Sequence, residues 1–171
     1  MTEQIWWEIN RIKRLAEKRK PEVRPNVDYT PASITLNAGT LTGGTVADVQ
    51  EMFGGTTYDL DEVAATPGFD VEFVFTGVTK NVRLVICRYL YNGSATHYVG
   101  IDLWNYDSTA WDQHNIFKDT GGYYACSTKA IPLNIAANYR DAGGNAIVRM
   151  YHYTAGNNSH DIKIDYVGLT H

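Results

Sequence analysis

The fold is decided by residues 81–106, which read NVRLVICRYLYNGSATHYVGIDLWNY. Two runs rich in β-branched and aromatic residues, 81–91 and 96–106, flank the turn dipeptide Asn92-Gly93. Alternation divides the second run into two faces, with Val99, Ile101 and Leu103 on one and Tyr98, Asp102, Trp104 and Tyr106 on the other. Such alternation predicts strands that bury one face and expose the other.

Further runs of the same kind follow residue 33, and they cover residues 33–37, 71–78, 122–131, 145–155 and 161–169. Dipeptides that contain glycine separate several of them and supply the positive φ that hairpin turns require. Short helical turns are predicted at 47–53 and 133–139. The pattern predicts a mainly β domain over residues 33–171, built as an antiparallel two-sheet sandwich.

The last two runs have a clear assignment of faces. In 145–155, Val148 and Met150 oppose Arg149, Tyr151 and Tyr153. In 161–169, the alternation groups Ile162, Ile164 and Tyr166 against Lys163, Asp165 and Val167. We therefore expect one group of each run to lie in the core and the other to face outward.

The order of the runs FDVEFVFTGV (69–78), VRLVICRYLYNGSATHYVGIDLWNY (82–106) and AIVRMYHYTAGNNSHDIKIDYVGL (146–169) resembles that of galactose-binding-like and carbohydrate-binding modules. In such jelly-roll domains a final strand of the type hxIDYVxL commonly closes the sheet, and residues 164–169 match it. A similar sandwich is frequent in structural proteins of tailed bacteriophages. The resemblance covers about residues 33–170, and it implies a jelly-roll-like sandwich that serves a virion or binds carbohydrate.

Residues 1–20 differ from the rest of the chain and predict an amphipathic helix that ends before Pro21. Its candidate seam and anchor residues are Ile5, Trp6, Trp7, Ile9, Ile12 and Ala16. The isoleucine rhythm is typical of a heptad seam and favours a trimer, which would be a short coiled coil. Packing on the chain's own β-domain, docking into a partner protein and lying on a membrane surface remain alternatives. Residues 21–32 contain three prolines and predict a semi-rigid linker.

The charge distribution limits the classes of partner. Residues 1–20 carry six Lys/Arg against three Asp/Glu, a net charge of +3. Because the whole chain has a net charge of −4, residues 21–171 carry −7. Nucleic-acid binding by the β-domain is therefore not expected, because it needs clustered positive charge. No stretch approaches the length of a membrane span. Whether Cys87 and Cys126 are paired depends on geometry that the sequence does not contain.

The sequence shows no catalytic motif, and we expect no enzyme and no cofactor. The five histidines form no HxH or HExxH spacing, so no metal ligand is assigned, and a metal site would have to be assembled from distant strands. The acidic residues of YDLDEVA (58–64) carry no sign that two of them face each other as a glycosidase requires. No calcium loop supports a bound Ca²⁺.

Aromatic residues form the most suggestive cluster, and the candidate glycan-binding residues are Tyr91, His97, Tyr98, Trp104, Tyr106 and Trp111. Aromatic faces can stack on sugar rings, but they are equally suited to a contact between subunits. Our leading interpretation is a noncatalytic virion protein of a phage-like particle, made in the host cytoplasm, trimeric and attached to other virion proteins by its helix. It would display the sandwich as a fibre, decoration or tail component, with attachment to host glycans. The alternative is a carbohydrate-binding module.

Overall fold

The computed structural model describes residues 29–171, which contain strands and short 3₁₀ turns but no α-helix. The strands are β1 (Ser33–Ala38), β2 (Thr40–Gly43), β3 (Tyr58–Asp61), β4 (Phe69–Phe75), β5 (Leu84–Asn92), β6 (Val99–Asn105), β7 (Ala110–Phe117), β8 (Ala125–Ala130), β9 (Ala146–His152) and β10 (Asp161–Thr170). The 3₁₀ helices are Val46–Val49 and Ala136–Tyr139. The first overlaps the helical turn predicted at 47–53, and the second lies within the one predicted at 133–139.

Two antiparallel five-stranded sheets form a sandwich. The front sheet has the strand order β1-β4-β9-β6-β7, and the back sheet has the order β2-β3-β10-β5-β8. Only β2–β3 and β6–β7 are neighbours both in the sequence and in a sheet, so most connections cross from one sheet to the other. The expected hairpin at Asn92-Gly93 is therefore wrong: β5 and β6 belong to different sheets, and this segment carries the chain between them.

The core lies between the inner faces of the two sheets. It is formed mainly by Phe69, Val71, Phe73 and Phe75 of β4, Val85, Cys87, Tyr89 and Tyr91 of β5, Val99, Ile101 and Leu103 of β6, Val148 and Met150 of β9, and Ile162, Ile164, Val167 and Leu169 of β10. Each such apolar side chain contributes about 1.5–3 kcal/mol when it is fully buried. The faces predicted for β6 and β9 are confirmed, because Val99, Ile101, Leu103, Val148 and Met150 all lie in the core. Buried and half-buried positions alternate along β9, whereas β6 is buried at every position except Trp104.

Strand β10 departs from strict alternation. Its register with β5 shifts between Ile164 and Tyr166, so Asp165 is an extra residue of the kind that defines a β-bulge. After the bulge it is Val167 that enters the core, while Tyr166 is buried outside it. The expectation that Tyr166 shares a face with Ile164 is wrong, because the bulge reverses the face of every later residue.

Three strands, β2, β3 and β7, are not anticipated by the sequence patterns. The predicted helix at residues 1–20, with Ile5, Trp6, Trp7, Ile9, Ile12 and Ala16, and most of the linker at 21–32 lie outside the described residues. Cys87 is buried and Cys126 is exposed, and both thiols are free. Within residues 29–171 we find no helix with the length and apolar character that crossing a membrane requires.

Candidate functional site

The outer face of the front sheet carries a compact group of aromatic and charged side chains. They occupy the outward positions of four neighbouring strands, namely Asp70 on β4, Arg149 and Tyr151 on β9, Asp102 and Trp104 on β6, and Trp111 on β7. Those on β4, β6 and β9 alternate with core residues of their own strand, which is why the backbone directs them away from the core. Trp111 shares their face because it is paired directly with Trp104. We call this group the front platform.

The two tryptophans form one end of the front platform. Trp104 and Trp111 are directly opposite each other in the β6–β7 pair, and their ring centroids lie 5.2 Å apart at an interplanar angle of 72°. Edge-to-face pairs of this kind contribute about 0.5–1.5 kcal/mol beyond the burial of their area. Both rings are only half-buried, so the pair presents an ordered apolar surface to solvent.

Arg149 lies at the centre of the front platform. Its Nε donates to Asp70 Oδ1 at 2.8 Å and its Nη2 donates to Asp70 Oδ2 at 2.5 Å, which is a bidentate ion pair. Its guanidinium also lies 4.2 Å from the ring centroid of Tyr151 and 5.2 Å from that of Trp111. The charge is thus held in a fixed plane between two aromatic rings, a favourable cation–π arrangement.

Asp102 is the buried acid of the front platform. It is 2% exposed, and its Oδ1 has no hydrogen-bond partner within residues 29–171. Burial raises the pKa of this carboxyl to about 6, against the lowering effects of Arg149 and of a hydrogen bond from Tyr151. Gly100 leaves room for that tyrosine, because a Cβ at residue 100 would lie 2.7 Å from Tyr151 Cε1.

The structure separates the six residues that the sequence proposes for glycan binding. Trp104 and Trp111 belong to the front platform. Tyr98 is 40% exposed, and the Lys118 ammonium lies 4.4 Å from its ring centroid. Tyr106 is half-buried at the end of β6, where its backbone N–H donates to Asn138 O.

The other two residues lie elsewhere. Tyr91 is completely buried in the core, so its predicted surface contact with a glycan is wrong. Its hydroxyl donates to Glu62 Oε1 at 2.6 Å. His97 is half-buried beside the same carboxylate, with its Nδ1 3.9 Å from Glu62 Oε2. Tyr91 lies near the end of β5 and His97 in the connection to β6, and both approach Glu62 and not the tryptophans.

Sequence reasoning assigned no site role to Arg149, Tyr151 or Asp70. The alternation of residues 145–155 does group Arg149 and Tyr151 on one face, so the sequence pattern could have identified them as neighbours. The pairing with Asp70 depends on the β4–β9 register, and a sequence contains no direct sign of that register.

No protein-family model matches this chain, and no curated protein is similar to it. Solved structures of carbohydrate-binding modules with a β-sandwich fold are similar in outline. A mutant of the family 29 module CBM29-2 has 10% identity and a TM-score of 0.48, with 81% of this chain and 92% of that chain covered. CBM35 from Paenibacillus barcinonensis has 14% identity and a TM-score of 0.49, with 84% and 96% covered.

A third structure, CBM32 of AlyQ in complex with 4,5-unsaturated mannuronic acid, has 14% identity and a TM-score of 0.47, with 84% of this chain and 97% of that chain covered. At such low identities and TM-scores these likenesses assign neither a ligand nor a binding site to this chain. The case for a function therefore depends on its own residues.

Proposed function

We propose that this protein is a noncatalytic glycan-binding β-sandwich and that it binds its ligand on the front platform. The observation that supports this proposal is the Trp104–Trp111 pair beside the bidentate Arg149–Asp70 ion pair. Flat apolar rings and fixed polar groups lie next to each other on rigid strands.

This combination suits the two-sided chemistry of a sugar. The C–H groups on one face of a pyranose ring pack against an aromatic ring, while its hydroxyls need hydrogen-bond donors and acceptors at the edge. Arg149 supplies N–H donors beyond those used by Asp70, since a guanidinium has five. Tyr151 adds a hydroxyl at the same point, while the buried carboxylates of Asp70 and Asp102 hold Arg149 and Tyr151 in place.

The charge of this face favours neutral glycans. Glu72 is the direct neighbour of Arg149 on β4, so three carboxylates, those of Asp70, Glu72 and Asp102, surround one guanidinium. Sulfated or uronic-acid polymers would meet an excess of negative charge there, and like-charge contacts reduce affinity. We therefore expect neutral oligosaccharides to bind better than acidic ones.

The proposal is tested by affinity electrophoresis in gels that contain neutral or acidic polysaccharides, followed by titration with the best oligosaccharide. We expect Trp111→Ala and Trp104→Ala each to weaken binding at least about tenfold, which corresponds to roughly 1.4 kcal/mol of lost contact. Near-ultraviolet circular dichroism checks that each variant remains folded.

Tyr123→Ala is the matched control, because Tyr123 is 79% exposed and lies outside the front platform. It should bind as the unaltered protein does. Retained binding in both tryptophan variants would contradict the proposal. If the tryptophan variants instead changed the molecular mass in solution and no glycan bound, the front platform would be a contact between subunits.

The more specific sequence predictions stay predictions. A jelly-roll identity for the sandwich, a virion location and a trimer are consistent with glycan attachment but are not required by it. The trimer and the anchor depend on residues 1–20, which lie outside the described range. Residues 29–171 offer no observation in favour of a phage-like particle.

A further inference from the structure

A second group of functional side chains lies away from the front platform, where connections meet at one end of the sandwich. Glu62 follows β3, His97 lies in the β5–β6 crossing, and His152 ends β9. A potential ligand atom from each of the three lies within 4.8 Å of those of the other two. His160, which immediately precedes β10, contacts the same carboxylate. We call these four residues the histidine cluster.

Glu62 is the centre of the histidine cluster and is 2% exposed. Its Oε1 accepts a hydrogen bond from Tyr91 Oη at 2.6 Å, and its Oε2 accepts one from the Asn157 backbone N–H at 2.9 Å. These two donors fix the orientation of the carboxylate. A buried carboxylate with partners of this kind is an ordered, negatively charged ligand group.

Three imidazoles direct the same nitrogen toward this carboxylate. The Nδ1 atoms of His152, His160 and His97 lie 2.8, 3.3 and 3.9 Å from the nearest Glu62 oxygen. All three Nδ1 atoms are buried, yet none makes a hydrogen bond of acceptable geometry within residues 29–171. Three buried imidazole nitrogens thus converge on one carboxylate, an arrangement that a bound cation among them would satisfy.

The opposite nitrogen of His152 is already engaged. Its Nε2 lies 2.7 Å from Thr154 Oγ1. When Nε2–H donates to that oxygen, the lone pair of Nδ1 faces Glu62, as in the supporting contacts of metal-bound histidines.

Two glycines enclose the site closely. A Cβ on Gly68 would lie 2.6 Å from His152 Nδ1 and 2.7 Å from Gly156 Cα. A Cβ on Gly156 would in turn lie 2.5 Å from Val63 O. The space beside His152 Nδ1 therefore depends on the missing side chain at residue 68, and Gly156 lets the neighbouring backbone segments approach closely.

We propose that Glu62, His97 and His152, with His160 as the fourth ligand, form a binding site for one late-transition-metal dication of the zinc class. Three imidazole nitrogens with one carboxylate oxygen suit Zn²⁺, whereas Ca²⁺ and Mg²⁺ prefer ligand sets made of oxygen. The three Nδ1 atoms lie 2.8–3.9 Å from a Glu62 oxygen, which is Oε1 for His152 and Oε2 for His97 and His160. Tetrahedral bonds of about 2.0–2.1 Å place ligand atoms roughly 3.3 Å apart, so the spread of up to 4.8 Å among Glu62, His97 and His152 must contract when the ion binds.

The role of this metal is structural and independent of glycan binding. Its ligands come from the ends of β3 and β9, which belong to different sheets, and from the connections before β6 and β10. One ion would therefore join both sheets at one end of the sandwich. Because the unfolded chain does not preform the site, binding stabilises the folded state.

The test is metal titration of the full-length protein, first freed of metal with a chelator. We expect one Co²⁺ per chain, with the visible absorption of a low-symmetry site that contains nitrogen ligands. Zn²⁺ at about one hundred times its dissociation constant should raise the melting temperature by about 5–10 °C. His97→Gln and His160→Gln should each reduce Co²⁺ affinity at least tenfold, and both side chains are partly exposed, so the fold should tolerate the change.

The double variant His114→Gln/His171→Gln is the matched control. The chain has five histidines, and this variant leaves only those of the histidine cluster. It should keep the Co²⁺ spectrum and the thermal response to Zn²⁺. The proposal is overturned if the unaltered protein shows neither response, or if His97→Gln responds as the unaltered protein does. In either case the histidine cluster is a hydrogen-bonded network without a metal.

Discussion

At the scale of single residues, Asp102 shows how a half-open aromatic surface changes the chemistry of a carboxyl group. The side chain occupies an outward position of β6, yet it is 2% exposed because its neighbours cover it. Burial disfavours the charged form more than Arg149 restores it, and the pKa rises from 3.8 to about 6. The folded protein therefore holds this proton more tightly than the unfolded chain does.

This difference predicts a pH dependence of stability. Between pH 3.8 and about 6 the folded state binds the Asp102 proton and the unfolded state does not, so this residue's contribution to the free energy of unfolding falls as pH rises. Asp102→Asn should remove that fall and stabilise the protein at pH 7 by about 1–3 kcal/mol. Urea unfolding of both proteins at pH 4, 5, 6 and 7 measures the difference between their free energies of unfolding. If that difference did not change with pH, the raised pKa of Asp102 would not be the cause of the pH dependence.

At the scale of elements, the segment after the Val46–Val49 turn is attached to the outer face of the back sheet by one acid. Asp165 accepts a hydrogen bond from the Phe53 backbone N–H at 3.1 Å and pairs with Arg88 at 2.7 Å. The Arg88 guanidinium lies between the rings of Phe53 and Tyr124, at 4.3 and 4.2 Å from their centroids. Phe53 adopts a φ of 67°, a conformation that non-glycine residues seldom keep without such contacts.

Asp165→Ala should therefore destabilise the protein by about 2–4 kcal/mol, because it leaves a largely buried guanidinium and a backbone N–H without their acceptor. Lys163→Ala is the comparison. Lys163 lies on the same strand as Asp165, and the change removes its ion pair with Asp59 of β3. That lysine side chain is 44% exposed, and the loss should be below about 1 kcal/mol. Chemical denaturation measures both variants. Equal losses would show that Asp165 is no more than a surface charge.

At the scale of the whole molecule, residues 29–171 supply a complete hydrophobic core and two paired sheets. The core cluster and both sheets are built from residues 29–171, and Tyr29 adds a bridge to Leu169 of β10. The predicted trimer seam at Ile5, Ile9, Ile12 and Ala16 lies outside these residues.

Deleting residues 1–20 should thus leave a cooperatively folding protein whose melting temperature changes by no more than a few degrees. If the predicted seam exists, the same deletion should convert a trimer into a monomer. Calorimetry and light scattering measure the two effects separately. A truncated protein that fails to fold would contradict the expectation that the sandwich folds without residues 1–20. An unchanged number of chains per particle would contradict the predicted seam.

Much of the sandwich is predictable because alternation is a local property. Val99, Ile101 and Leu103 are identified as core residues from period-two spacing alone. Strand β7 is not identified, since AWDQHNIF is largely polar and takes its conformation from pairing with β6. The bulge at Asp165 is also invisible in the sequence, because one inserted residue in a strand of mixed pattern leaves no local sign.

The sites follow the same division. Alternation along each strand is enough to predict that Arg149 and Tyr151 share one face and that Trp104 faces outward, and the charge count assigns the basic character to residues 1–20. The contact of Arg149 with Asp70, and the meeting of three histidines at Glu62, become visible only in the folded chain. The difference is one of range: the direction of a side chain follows from its own strand, whereas its neighbours depend on sheet order and register, which are set by the packing of the whole chain.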